Sequence, residues 1–196
     1  MDAVWPDGLP PAPDSALSAL VSKLRKLVGQ DRLEGRSELR LALPDDAWID
    51  AEAAGEGLHR AEAAHAREDW PAVWVAARVA QHIAVRPFVA GDDAPWIEER
   101  RRQLEGVYLR ALELAAHSSL RIGGGELDTA ERSARSLVRQ APFRESGYRY
   151  LMEVLAARDN RAEALQVYDE LRTMLREQLG TAPSPATKEL HRMLLG

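Results

Sequence analysis

Apolar residues return every three or four positions through most of this chain, and the breaks between those runs divide it into helices. The first run holds Leu17, Leu20, Val21, Leu24, Leu27 and Val28. It predicts a helix over 15–28 whose polar side carries Ser15, Ser18, Ala19, Ser22 and Lys26, flanked by Lys23 and Arg25. Asp14 or Ser15 is suited to cap its start and Gly29 to end it. The stripe needs something to pack against. Residues 1–14 contain Pro6, Pro10, Pro11 and Pro13 and cannot form a long regular element. After Gly29 the period changes to two. Leu39, Leu41 and Leu43 alternate with Arg40 and Ala42, the pattern of a half-buried strand, with Gly35 as the bend of a short hairpin and Pro44 as its end.

From residue 51 the helical period returns and stays. Two alanine-rich runs, 51–70 and 71–85, come first, with Pro71 suited to a first helical turn. The loop "RPFVAGDDAP" follows. A long helix is then expected from about Trp96 to Ser119, with Ile97, Leu104, Tyr108, Ala111 and Ala115 on one face, broken by the glycines at 123–125. Three more helices are expected at about Leu127–Gln140, Glu145–Ala157 and Arg161–Leu179. Gly180 stops the last of these, and Ser184 with Pro185 starts a final one. Ala130, Ala134 and Leu137 match Ala164, Tyr168 and Leu171 at an offset of 34 residues, the tetratricopeptide period. Val73, Ala77 and Ala80 give a looser third copy. The expected fold is mainly α: a tetratricopeptide-like array over 51–196, preceded by a smaller module over 1–50.

At 196 residues the chain can bury a sizeable core, and its 45% hydrophobic and 29% charged content is that of a globular protein. No apolar run approaches the roughly 18 residues of a membrane span, and the N-terminus has neither the basic start nor the apolar stretch of a secretory signal. With no cysteine there are no disulfides or thiolate sites, and a cytoplasmic location is expected. Net charge is −5, but residues 15–43 carry +3 and the remainder −8. That basic island, with Lys23, Arg25, Lys26, Arg32, Arg36 and Arg40, points to an anionic partner.

Candidate chemistry is otherwise thin. The histidines (His59, His65, His82, His117, His191) never fall at i, i+3 or i+4, so no helix presents a metal pair, and no cofactor is expected. The glycine run lacks the Lys-Ser/Thr of a phosphate loop and follows a helix rather than a strand. Acidic pairs such as Asp92–Asp93 and Glu98–Glu99 fall at loops or helix starts, where carboxylates favour the dipole. Arg100–Arg102 point around a helix as a solvated face, and the five tryptophans are expected to anchor packing. Nothing asks for an enzyme.

The last third is more specific. Pro142 with Arg144–Glu145, Leu151–Met152, Ala164–Leu165, Tyr168, and Leu179–Gly180 followed by Pro183-Ser184-Pro185 resemble the bacterial transcriptional activator domain of SARP/AfsR-type regulators. The resemblance runs upstream through "WIEERRRQLEGVYLRALELA". At the start, "AVWPDGLPPAPDSALSALVSKLRKLVG" is similar to the latter part of an OmpR/PhoB-type winged helix-turn-helix, including its recognition helix. The segment "RLEGRSELRLALPDDAWID" falls where the wing hairpin belongs.

The resemblance implies a DNA-binding transcriptional activator. Ser15, Ser18 and Ser22 would face base edges, Lys23 and Lys26 would meet phosphates, and Arg36 and Arg40 would do so from the wing. Double-stranded DNA, the transcription machinery and a second copy of the chain are the implied partners. The family's N-terminal sheet and first helix have no counterpart here, and "MDAVW" alone corresponds to the second. The expectation is therefore a start inside a longer reading frame, or a regulator that has lost half its DNA-binding domain, with weak DNA binding by the 196 residues alone. The alternative is an interaction module of tetratricopeptide type that binds no DNA.

Overall fold

The computed structural model describes residues 4–5, 8–35, 38–44 and 46–196. Its elements are α1 (Pro13–Val28), a 3-10 turn (Gln30–Arg32), β1 (Leu33–Glu34), β2 (Arg40–Leu41), α2 (Asp50–His65) and α3 (Trp70–Ala84). Then come α4 (Pro95–Ile122), a second 3-10 turn (Gly124–Glu126), α5 (Leu127–Gln140), α6 (Glu145–Ala157), α7 (Arg161–Leu179) and α8 (Pro185–Leu195). Two compact units divide the chain: residues 1–49 with 88–101, and residues 50–87 with 102–196.

In the larger unit successive helices pack on one another, α2 on α3, α5 on α6 and α6 on α7. Its start is locally encoded: the Asp69 carboxylate accepts from the Ala72 amide at 3.2 Å, and Pro71 occupies the first turn of α3. Small residues then let α2 and α3 approach closely. A side chain at Gly57 would stand 3.3 Å from the Ala76 carbonyl and from the Ala80 amide, close enough that the partner backbone would have to give by a few tenths of an ångström. Ala61, Ala64, Val73 and Ala77 continue this contact and pack with Leu114 and Ala115 of α4. The larger cluster joins Ala116, Ala134, Tyr148, Leu151, Met152, Leu155, Ala164, Tyr168, Leu171, Leu175 and Leu190 across α4 to α8. The repeat positions Ala130, Ala134, Leu137, Ala164 and Leu171 are all fully buried, as are Val73, Ala77 and Ala80.

One polar bracket ties α6 to α8. The Glu145 carboxylate accepts from the Ser184 amide at 3.0 Å, the Ser184 hydroxyl at 2.7 Å and the Thr187 hydroxyl at 2.6 Å. The Ser184 side chain makes no cap bond to the first turn of α8; its hydroxyl and amide are held by the Glu145 carboxylate instead. Burial opposes the charge on Glu145. The Thr187 and Ser184 hydrogen bonds and nearby Arg149 outweigh it and hold the carboxyl below its ordinary range.

The smaller unit departs from expectation in three ways. Helix α1 begins at Pro13 after Ala12, with no side-chain cap, because proline is preset for the first helical position and has no amide to satisfy. Asp14 lies in the first turn instead, where its charge suits the dipole. The strand predicted from Leu39, Leu41 and Leu43 is only two residues long, and all three leucines remain 43–48% exposed. A two-residue ladder pairing Leu33 with Leu41 and Glu34 with Arg40 buries Leu33 alone. Finally, Trp48 and Trp96 are 67% and 49% exposed, so these two tryptophans do not anchor a core.

Candidate nucleic-acid interface

The residues singled out by sequence fall on one helix and one hairpin. Ser15, Ser18, Ser22, Lys23 and Lys26 are all exposed on α1, and Arg40 is exposed on β2. Arg36 lies outside the described residues. Helix α1 has no fully buried residue. Its half-buried positions include Leu17, Val21, Arg25 and Val28, whereas Leu20, Leu24 and Leu27 are 41%, 42% and 84% exposed. The apolar stripe is therefore split. Pro13 and Ala16 are half-buried as well, and at 100° per residue the covered face is turned by about 20° from the centre of that stripe. Opposite it stand Lys26, Ala19 and Ser15, with Ser22 and Lys23 to either side. Ser18 moves toward the edge, next to Arg25.

Arg25 is the residue that sequence reasoning passed over. Its Nη2 donates to the Gly35 carbonyl at 2.6 Å and its Nε to the Leu33 carbonyl at 3.4 Å. These bonds join the last turns of α1 to the hairpin. The hairpin itself is tight: Gly35 has φ +89°, and a Cβ there would stand 1.8 Å from the Glu38 carbonyl oxygen. The Ala42 amide donates to the Arg32 carbonyl at 2.7 Å and extends the pairing by one bond. The only sequence signal for Arg25 was a cation among apolar residues, four after Val21 and three before Val28.

Arg101 is also more than a solvated charge. Its guanidinium donates to the carbonyls of Phe88, Val89 and Asp92 at 3.0, 2.6 and 2.8 Å and pairs with Asp93 and Glu98. It clamps the 88–93 loop onto the start of α4, so one member of the arginine run is committed to structure.

The larger unit brings together a pair that spacing treated as unrelated. His65 Nε2 and His117 Nδ1 are 2.9 Å apart. His117 stacks on Tyr150 with centroids 5.4 Å apart, Trp70 meets both imidazoles, and the Arg121 guanidinium lies 5.5 Å from the Trp70 ring. Burial first, then His65, Arg121 and Arg110, lower the His117 imidazole below its ordinary value. The two histidines are 52 residues apart in sequence, so only the folded array reveals them. Among the described residues no group of three or more His, Cys, Asp or Glu converges to hold a metal, and no described helix is long and apolar enough to cross a membrane.

Comparison with known proteins places these features in context. The family model described as bacterial transcriptional activator domain matches residues 49–195. The regulatory protein AfsR of Streptomyces griseus is 29% identical over the whole chain, and AfsR of Streptomyces coelicolor is 28% identical. The chain spans 20% of the length of each of these relatives. The solved structure of Mycobacterium tuberculosis EmbR in complex with a low affinity phosphopeptide superposes with a TM-score of 0.80 at 23% identity. It covers 99% of this chain and 52% of that one, a likeness of fold.

Proposed function

The chain belongs to the bacterial transcriptional activator domain family of SARP/AfsR-type regulators, and from that premise we propose that it serves a transcriptional regulator by contacting double-stranded DNA through α1 and the β1–β2 hairpin. The observation that carries the reading is the outward side of α1. Lys23 and Lys26 stand there with small hydroxyl side chains, and none of these residues is committed to a core. A helix presenting cations and hydroxyls without bulky side chains suits a major groove. The lysines meet phosphates on either side while Ser15 and Ser22 reach base edges, with Ser18 nearer the hairpin. Arg40, and Arg36 outside the described residues, extend phosphate contact to the hairpin. The tetratricopeptide-like array is the proposed surface for pairing with a second copy and for meeting the transcription machinery.

Serines discriminate bases poorly compared with arginine or asparagine, so sequence choice leans on DNA shape and on pairing of two copies. Since no residue of α1 is fully buried, the helix is loosely held, and this chain alone binds DNA in the non-specific range of ~10⁻⁴–10⁻⁶ M. The test is fluorescence anisotropy with a 30-base-pair mixed-sequence duplex across a salt series. Lys23→Ala and Lys26→Ala should each reduce the slope of log K against log salt by about one. Ser22→Ala should alter preference among duplexes more than total affinity. Absence of binding at low salt, or a slope unmoved by either lysine substitution, refutes the reading.

The exposed edge of Leu20, Leu24 and Leu27 favours a second reading, an interaction module that binds protein rather than DNA. Under it, Leu24→Glu abolishes self-association measured by sedimentation, while the lysine substitutions change nothing.

A further inference from the structure

We propose that Arg25 is the positioning residue of this interface: its guanidinium fixes the hairpin relative to α1 and does not serve as a phosphate contact. The inference rests on the DNA-binding reading for its purpose, but its structural half stands on the geometry alone. Arg25 lies between Lys23 and Lys26 in "SKLRKL", and by charge all three look alike. Their surroundings separate them. The lysines stand on the outward side of α1, whereas Arg25 is half-buried on the covered side with Val21 and Val28.

There two of the five N–H groups of the guanidinium are committed to the backbone. Nη2 reaches the Gly35 carbonyl at 2.6 Å and Nε the Leu33 carbonyl at 3.4 Å, so one rigid fork holds the first residue of β1 and the residue that follows the strand. One of the receiving carbonyls belongs to a constrained residue. Gly35 is held at φ +89°, against the Glu38 carbonyl. The ladder beyond it is only two residues long, pairing Leu33 with Leu41 and Glu34 with Arg40. So short a hairpin is marginal by itself. A charge-assisted bond from α1 is therefore a principal restraint on where Arg40 points. The chemistry also says which substitution fails: lysine keeps the charge, but its three donors share one nitrogen on a flexible stem and do not reproduce the spaced nitrogens of the planar fork.

The experiment uses the full chain and two readouts. Amide hydrogen exchange at Ala42, whose N–H donates to the Arg32 carbonyl, measured by NMR without DNA, reports the hairpin. Anisotropy with the mixed-sequence 30-base-pair duplex over a salt series reports the interface. Arg25→Ala and Arg25→Lys should both accelerate exchange at Ala42 and weaken duplex binding about tenfold, the size of a lost charge-assisted bond. The salt slope should stay that of the parent, whereas Lys23→Ala lowers it by about one. Gly35→Ala, which disturbs the same turn from the other side, should reproduce both effects. The double variant Arg25→Ala with Gly35→Ala should be no worse than either alone.

Two results overturn the proposal: a slope lowered by one in Arg25→Ala and restored in Arg25→Lys, which marks a phosphate contact, or hairpin exchange unchanged in both Arg25 variants. If the parent fails to bind the duplex, the DNA-binding reading falls. The exchange measurement then decides alone whether Arg25 holds the hairpin.

Discussion

Replacing Ala164 with glutamate tests the register of the whole helical array at one atom. Ala164 is fully buried where α7 meets α6, within the cluster that includes Tyr148, Leu151, Met152, Leu155, Val167 and Tyr168. It occupies the repeat position equivalent to Ala130, 34 residues earlier and also fully buried. A glutamate there adds volume where neighbouring side chains are already in contact, which costs about 1–3 kcal/mol through displaced packing. It also brings a carboxylate into an apolar site with no partner, a situation that costs about 3–5 kcal/mol when buried pairs are broken. The group escapes part of the second cost by binding a proton. The net loss expected at pH 7.5 is about 3–5 kcal/mol, a large fraction of the roughly 5–15 kcal/mol that holds a domain folded.

Urea denaturation followed by circular dichroism reads this directly, and a heat melt should show a fall of about 10–15 °C. Ala162→Glu is the control. It lies two residues away on the exposed side of the first turn of α7, where a carboxylate favours the dipole, and should change stability by less than about 0.5 kcal/mol. The pH dependence has a fixed sign. A carboxyl whose folded pKa is raised by burial penalises the folded state above its unfolded value, so Ala164→Glu should approach its parent as pH falls toward 4.5. Ala164→Leu, which overpacks without charge, should show a constant deficit. An Ala164→Glu variant within 1 kcal/mol of the parent, or one no worse than Ala162→Glu, would refute the assigned register.

Three further outcomes are expected. Gly57→Leu should force α2 away from the Ala76 carbonyl and Ala80 and cost about 1–3 kcal/mol, read as a lowered urea midpoint with unchanged slope. His117, held below its ordinary pKa, contributes stability that is full above pH 6.5 and declines as pH falls through its folded value. His117→Phe keeps a ring against Tyr150, so its stability should vary less than the parent's between pH 7 and 5; an unchanged profile counts against the assignment. Glu145→Gln should lower the melting temperature at pH 7 because α8 loses its bracket. With the folded pKa depressed, that difference should shrink as pH drops below the ordinary carboxylate range, and a difference constant down to pH 3 would mean the hydrogen bonds matter without the charge.

The array was legible in the sequence because its signals are local and repeated. Pro71, Gly180 and Pro185 punctuate helices where proline and glycine act through their own backbone, and Ala130 with Ala164 mark the 34-residue period where helices must approach closely. The features that escaped are those in which a side chain answers to something distant. Glu145 holds the start of α8 from 39 residues away, and His65 finds His117 across 52. No window of 11–18 residues contains either pair.

The interface shows the same division at smaller scale. Periodicity found α1 and its polar side, but six apolar positions spread over so wide an arc leave the covered direction undetermined within a turn. Leu24 and Val21 were equal members of one stripe; the fold leaves Leu24 42% exposed and turns Val21 with Arg25 toward the covered side. That rotation is what moves Ser18 toward the edge of the outward face and leaves Lys26 near its centre. Charge counting made the opposite error, treating every cation between 15 and 43 as one island. An arginine with two of its donors fixed on backbone carbonyls is no longer equivalent to the lysines beside it. The polarity of a segment can be read from composition, but which of its charges remain available to a partner follows only from where their hydrogen bonds go.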